Sequence, residues 1–135
     1  MEKSIVQEKS FAFAVRVFKL NRYLADEKKE YIISKQLMRS GTSIGANIAE
    51  AYRGVSKKDY ANKMGIALKE ANESEYWIEL LFAVECIDKV QYESIRADCA
   101  EINKILIAIV KKSRIKAQIK DGQSVPDTCA LIPDT

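Results

Sequence analysis

Arg39-Ser-Gly-Thr-Ser-Ile-Gly-Ala-Asn-Ile-Ala-Glu-Ala51 is the stretch on which the fold turns. Ser40, Ile44, Asn47 and Ala51 recur at helical spacing, with Ile48 beside them, so one face of an α-helix is directed at a core. Two glycines sit inside that helix. Each costs about 1 kcal/mol relative to Ala, so their presence asks for a reason. Gly41, Gly45 and Ala49 are spaced by four and line one edge. Such an edge of small residues lets another helix backbone come close; the alternative is a helix break at Gly41.

Working outward, Ile33 and Leu37 extend the same face upstream, which predicts a helix over 30–53 with Gly54 at its C′ position. Ser56-Lys57-Lys58-Asp59 then reads as a variant capping box that starts a third helix at Lys57. That helix is expected over 57–87, with Tyr60, Met64, Ala67, Ala71, Ser74, Ile78 and Leu81 as one stripe and Ile66, Trp77, Leu80 and Val84 as a second. Upstream, Phe13, Val17, Leu20 and Leu24 define a first helix over 4–25, with Phe11, Ala14 and Phe18 as its second stripe, and residues 26–30 form a polar turn. Asp88-Lys89 marks another turn. A fourth helix is expected over 91–120, with a seam of Ile95, Cys99, Ile102, Leu106 and Ile109 widened by Ile105, Ile107 and Val110. No strand-like alternation competes, so the expected fold is all-α, an antiparallel up-down four-helix bundle over residues 4–120. Residues 121–135 lose the periodicity and are expected to be a flexible tail. Doubled apolar stripes would leave a monomer with an uncovered face, which points to self-assembly.

Composition narrows the chemistry. Both prolines lie beyond residue 125, so nothing interrupts long helices before that. There is no histidine, which removes Ser-His-Asp and Cys-His nucleophiles and the Glu-x-x-His pairs that di-iron four-helix bundles use. Cys86, Cys99 and Cys129 are widely spaced and read as reduced thiols. No signal peptide or membrane span is evident, the longest apolar run being only residues 105–110. The expectation is a cytoplasmic protein with no catalytic, cofactor or metal site. The charge is uneven: residues 121–135 carry −3 and residues 1–120 carry +6, a moderately basic body that permits a polyanionic partner.

Polar residues lie on or beside the core faces: Arg16, Gln36, Arg39, Asn47, Glu50, Glu70 and Glu73. A paired-carboxylate site is one reading of the acids. A partly buried network of ion pairs and amides that fixes helix register is the other, and the absence of His favours it.

The segments Lys9-Ser-Phe-Ala-Phe-Ala-Val-Arg16, residues 39–51, Ser56-Lys-Lys-Asp-Tyr60 and Ala67-Leu-Lys-Glu-Ala-Asn-Glu-Ser-Glu-Tyr-Trp77, in this order and spacing, resemble the bacterial four-helix bundle family encoded by intervening sequences in 23S ribosomal RNA genes. The resemblance spans roughly residues 4–118. It implies an antiparallel four-helix protomer, a ring-like homopentamer and no enzymatic activity. Relatives among the accessory proteins of diversity-generating retroelements imply a basic surface that engages nucleic acid and a nucleic-acid enzyme. The family's motif positions fall here on Phe13, Arg16, Gln36, Arg39, Ser40, Ser43, Asn47, Glu50, Lys69, Glu70, Glu73 and Trp77.

Two basic clusters are the candidates for contact with RNA or DNA: Arg53, Lys57, Lys58 and Lys63 around one turn, and Lys111, Lys112, Arg114, Lys116 and Lys120 at the end of the fourth helix. No aromatic side chains are expected to interleave with these bases, so binding is expected to be driven by phosphates alone. The competing expectation is an interaction scaffold that never touches nucleic acid.

Overall fold

A computed structural model describes residues 3–120, the side chains of 117–120 excepted. The expected tail at 121–135, with Cys129, lies outside them. Four helices follow in order: α1 Ile5–Glu27, α2 Ile33–Tyr52, α3 Lys57–Ala83 and α4 Lys89–Lys120. No strand occurs among the described residues. Consecutive helices pack on one another, α4 closes back on α1, and the diagonal pairs do not meet. Contacts run in opposite directions along each pair, as in Ser40 with Ser74 and Glu50 with Lys63. The molecule is therefore an antiparallel four-helix bundle. Its centre is filled by Phe13, Val17 and Leu24 of α1, Leu37, Ile44 and Ile48 of α2, Met64, Ile78 and Leu81 of α3, and Ile102, Leu106 and Val110 of α4. Side chains of this size contribute about 1.5–3 kcal/mol each on burial.

The helix starts are set by side chains. Ser4 and Gln7 form a reciprocal capping box on α1. Ser56 Oγ accepts from the Asp59 N–H at 3.0 Å, so α3 starts at Lys57 as its sequence implies. Asp88 and Gln91 cap α4 in the same reciprocal way, at 2.8 and 2.7 Å. Asp88-Lys89 is thus a helix start and not a turn apart from the helix. At α2 the cap comes from outside the usual position. The Glu30 carboxylate accepts from the N–H groups of Ile32, Ile33 and Ser34 at 2.7–2.9 Å, so Glu30 precedes the helix it was expected to begin. Burial works against the Glu30 carboxylate, but these three N–H groups outweigh it and hold its pKa below the ordinary 4.5.

The helix ends differ more from expectation. α3 stops at Ala83, because Glu85 takes a left-handed conformation (φ 63°) and the Cys86 N–H turns back to the Leu81 carbonyl at 2.9 Å. This is a Schellman closure without glycine. Ile87 is buried in the following connection and not in the helix. Lys29 is likewise left-handed (φ 54°) just after α1.

α2 runs unbroken through Gly41 and Gly45. A Cβ on Gly41 would lie 2.9 Å from Val17 Cγ2, and one on Gly45 would lie 3.4 Å from the carbonyl and hydroxyl oxygens of Ser10. The helix brought close by the small edge is α1 of the same chain. Asn47 departs from its expected core position. It is half-buried at the edge and donates to the Ser43 carbonyl of its own helix at 2.8 Å, while Ile48 takes the core place.

Two outcomes test this packing. Gly41→Ala should lose stability despite a helix-propensity gain of about 1 kcal/mol, because overpacking against a β-branched, χ1-restricted valine costs about 1–3 kcal/mol. In a Val17→Ala background the same substitution should change sign and stabilise, as read from urea midpoints. The second outcome concerns Glu30. Its folded pKa is lowered, so its contribution is complete above about pH 4.5 and lost as pH falls through the lowered value. Glu30→Ala should cost about 1 kcal/mol at pH 7, and the gap from wild type should narrow as pH falls below 4.5 and through the lowered folded value.

Candidate nucleic-acid interface

The motif residues assemble into separate clusters. On the α2–α3 face, Arg39 Nε donates to Gln36 Oε1 at 3.4 Å, Nη1 meets Glu70 Oε2 at 3.3 Å, and Nη2 pairs with Glu73. Glu73 Oε2 also accepts from Trp77 Nε1 at 3.1 Å. Both carboxylates answer one guanidinium, the geometry of a clamp between helices. Arg16 lies elsewhere, on the α1–α4 seam, bound to Asp98 at 2.6 Å and to the Ser94 hydroxyl at 3.0 Å. Glu50 pairs with Lys63 at 2.7 Å, is exposed, and takes no part in the Arg39 pairing of Glu70 and Glu73. Gly41 and Gly45 belong to the helix contact already described.

A buried polar residue that the sequence pattern did not single out is Asn103. Its Nδ2 donates to Glu75 at 3.2 Å, and its Oδ1 has no partner among the described residues. Cys99 is a buried free thiol donating to the Ala71 carbonyl at 3.5 Å. Burial, then Glu75, push its pKa up to about 12, which keeps it protonated and unreactive. Among the described residues no group of three or more His, Cys, Asp or Glu is placed to hold a metal ion, and no helix is long and apolar enough to cross a membrane.

The basic residues regroup across the two expected clusters. Lys63 is occupied by Glu50. Arg53 ends α2 and lines the groove between α1 and α2 together with Lys3. Lys58 is exposed in the first turn of α3, and Lys111 is half-buried. Arg114 points to the other flank, where its guanidinium lies 3.8 Å from the place of a Gly65 Cβ, beside Lys69. Lys120 ends α4, and its side chain lies outside the described residues. Lys57, Lys112 and Lys116 come together instead. They line one cleft of about 410 Å³ with Tyr52, Tyr60, Ile109 and Ser113, where the end of α4 passes the α2–α3 turn. Among the described residues the cleft lining contains no acid. The expectation that no aromatic joins the bases is corrected here. Tyr52 and Tyr60 form an edge-to-face pair with centroids 5.7 Å apart. Burial, then the neighbouring Tyr52, raise the Tyr60 phenol to about 12. Tyr52 adjoins Arg53 and Tyr60 lies between Lys58 and Lys63 in the sequence, so both could have been read there; the return of α4 adds Lys112 and Lys116 to them.

The remaining surface carries apolar side chains. Phe11 is 65% exposed, Val15 40% and Phe18 47%, in one strip along α1. On α3 the second stripe is only partly uncovered: Trp77 and Leu80 are half-buried, and Ile66 and Val84 are exposed.

These features define an all-α four-helix protein with charged clamps between its helices, an apolar lateral strip and a basic end. The model of the 23S rRNA-intervening sequence protein family matches residues 2–108, and the chain belongs to that family. It is similar to a crystallised protein of unknown function from the S23 ribosomal protein family of Bacteroides thetaiotaomicron VPI-5482. The two are 57% identical, with a TM-score of 0.78, over 79% of this chain and 99% of that one. No curated protein matches the chain.

Proposed function

We propose that this chain is a non-catalytic, self-assembling cytoplasmic protein that associates with RNA or DNA through the basic end of its bundle. The observation that carries the reading is the cleft of Lys57, Lys112 and Lys116, three cations with no acid in its lining. Elsewhere the charges alternate and pair, as in Lys9 with Glu101, Arg16 with Asp98 and Lys63 with Glu50. Asp59 in the first turn of α3 is the acid nearest in sequence to this end, and it does not line the cleft. Phosphates would take the lysines as point charges, with release of counterions. The affinity of one cleft is modest, and copies joined in an assembly raise it through avidity. The family resemblance supports a pentameric ring, which requires heterologous contacts, and a nucleic-acid enzyme as a further partner. The α1 strip of Phe11, Val15 and Phe18 supplies one side of such a contact with a second copy.

Binding of a labelled RNA or DNA oligonucleotide at low salt should be sequence-tolerant, with its logarithm falling linearly against the logarithm of salt. Replacing Lys57, Lys112 and Lys116 together by Gln should flatten that slope by about 2 for a single strand. Absence of binding by the intact protein would favour the scaffold instead.

Light scattering should give a mass several times 15.3 kDa, five times if the ring is pentameric. Phe11→Glu with Phe18→Glu should reduce it to the monomer. A wild-type monomer at micromolar concentration would sink the assembly reading.

A further inference from the structure

We infer that the Tyr52–Lys57–Lys112–Lys116 cleft is a base-stacking site that selects single-stranded over double-stranded nucleic acid, with Tyr52 as its platform. This rests on the proposed association with nucleic acid and specifies the form of the strand. Lysines alone would not distinguish a single strand from a duplex, since both present phosphates. A tyrosine with an open face does, because a base inside a duplex already has its faces occupied by neighbours.

Tyr52 is the last residue of α2 and is 45% exposed. Its ring meets Tyr60 edge to face, with the planes at 86°. Such a pair uses at most one face of either ring, so each keeps a face that its partner does not cover. Tyr60 is the anchored member: it is half-buried and packs against the core cluster. A second depression, lined by Ala51, Tyr52, Gly54, Val55, Ser56, Lys57 and Tyr60, lies across the α2–α3 turn. Tyr52, Lys57 and Tyr60 line both depressions, so the concave surface is continuous past the ring. Among the described residues no acidic side chain lines either part.

The arrangement has the two components that single-strand sites combine, an aromatic face and cations that follow the backbone. Lys112 and Lys116 are one helical turn apart on α4, so they form a row, and Lys57 stands on α3. The amino-terminal end of α3 opens at the same place and adds a fractional positive charge. A cleft of about 410 Å³ admits a base and its sugar-phosphate. A double helix keeps its bases stacked inside, so only its phosphates would meet the lysines.

The test measures fluorescence anisotropy with the full chain at low salt, using labelled rU12, dT12 and a 12-base-pair RNA duplex. Wild type should bind the single strands at least fivefold tighter than the duplex. Tyr52→Ala should weaken single-strand binding about tenfold and leave duplex binding unchanged, while Tyr52→Phe should retain wild-type affinity. Ultraviolet crosslinking of wild type to an oligonucleotide containing 5-bromouridine, mapped by mass spectrometry, needs no variant and should place the adduct on Tyr52 or Tyr60. Equal affinity for single strand and duplex, with adducts mapped elsewhere, overturns the stacking site while leaving nucleic-acid binding in place. No binding to any of the probes overturns both.

Discussion

The fold is referred to the level at which Gly41 of α2 meets Val17 of α1. Successive residues of a helix are about 100° apart, so Ser40 and Gly41 face different neighbours at one height. Gly41 admits Val17, with 2.9 Å between an added Cβ and the valine methyl. Ser40 admits Ser74 of α3, whose hydroxyl donates to it at 2.9 Å. Minimal side chains on two adjacent faces pinch α2 between α1 and α3, and the larger Leu37 and Ile44 fill the core one turn to either side. Once that height is fixed, Arg39 stands opposite Glu70 and Glu73, and Glu50 stands opposite Lys63. The clamps follow from the packing. Exposed ion pairs contribute about 0–1 kcal/mol each, too little to set the register alone.

The same register explains why the cationic cleft forms. α4 has 32 residues and α3 has 27. At about 1.5 Å per residue their lengths are about 48 and 40 Å. α4 starts beside the end of α3, where the Tyr92 ring stacks on Phe82 with centroids 4.3 Å apart. It therefore reaches back along all of α3 and past its first turn, carrying Lys112 and Lys116 to Lys57. The seam between α1 and α4 is the less intimate one. It is bridged by Arg16–Asp98 and Lys9–Glu101, and a cleft of about 270 Å³ opens on it between Leu20, Tyr23, Ile87 and Ile95.

Periodicity made the number of helices and most core positions legible, because burial and the 3.6-residue repeat act on the same residues. The small edge of Gly41 and Gly45 could also be read, although the sequence does not say which helix it receives. Helix ends were less legible. A left-handed closure usually announces itself by glycine, and here Lys29 and Glu85 take that place, so α3 was read too far, to Ile87. Asn47 and Asn103 show the limit of pattern for polar residues. A shift of about 100° separates core from edge, and Asn47 falls on the edge while Asn103 is buried. The basic clusters were drawn by closeness in sequence. Three-dimensional closeness separates Lys63 and Arg114 from Lys57 and joins Lys57 to Lys112, beside two tyrosines that the sequence already places next to Arg53 and between Lys58 and Lys63.

The apolar strip and the basic cleft adjoin at one point of the bundle, since Phe11 and Tyr52 line the same groove between α1 and α2. Phe11, Val15 and Phe18 run along the side of α1, whereas Tyr52, Lys57, Lys112 and Lys116 gather at one end, around the α2–α3 turn. In the proposed assembly, lateral contacts through α1 would bury phenylalanines that are otherwise in water, a gain of about 1.5–3 kcal/mol for each one fully covered. None of Lys57, Lys112 and Lys116 lines the groove beside Phe11, but Lys3 and Arg22 lie 5.6 and 5.9 Å from the Phe11 and Phe18 ring centroids and would be drawn into the contact, where desolvation opposes association. In the proposed assembly, a polyanion at the bundle end would neutralise the charge that accumulates as copies are added, so binding of a strand would favour assembly through electrostatics alone. Such coupling would require no change of conformation within the protomer, because the elements that carry the two surfaces are held by the same pinched contact at Gly41.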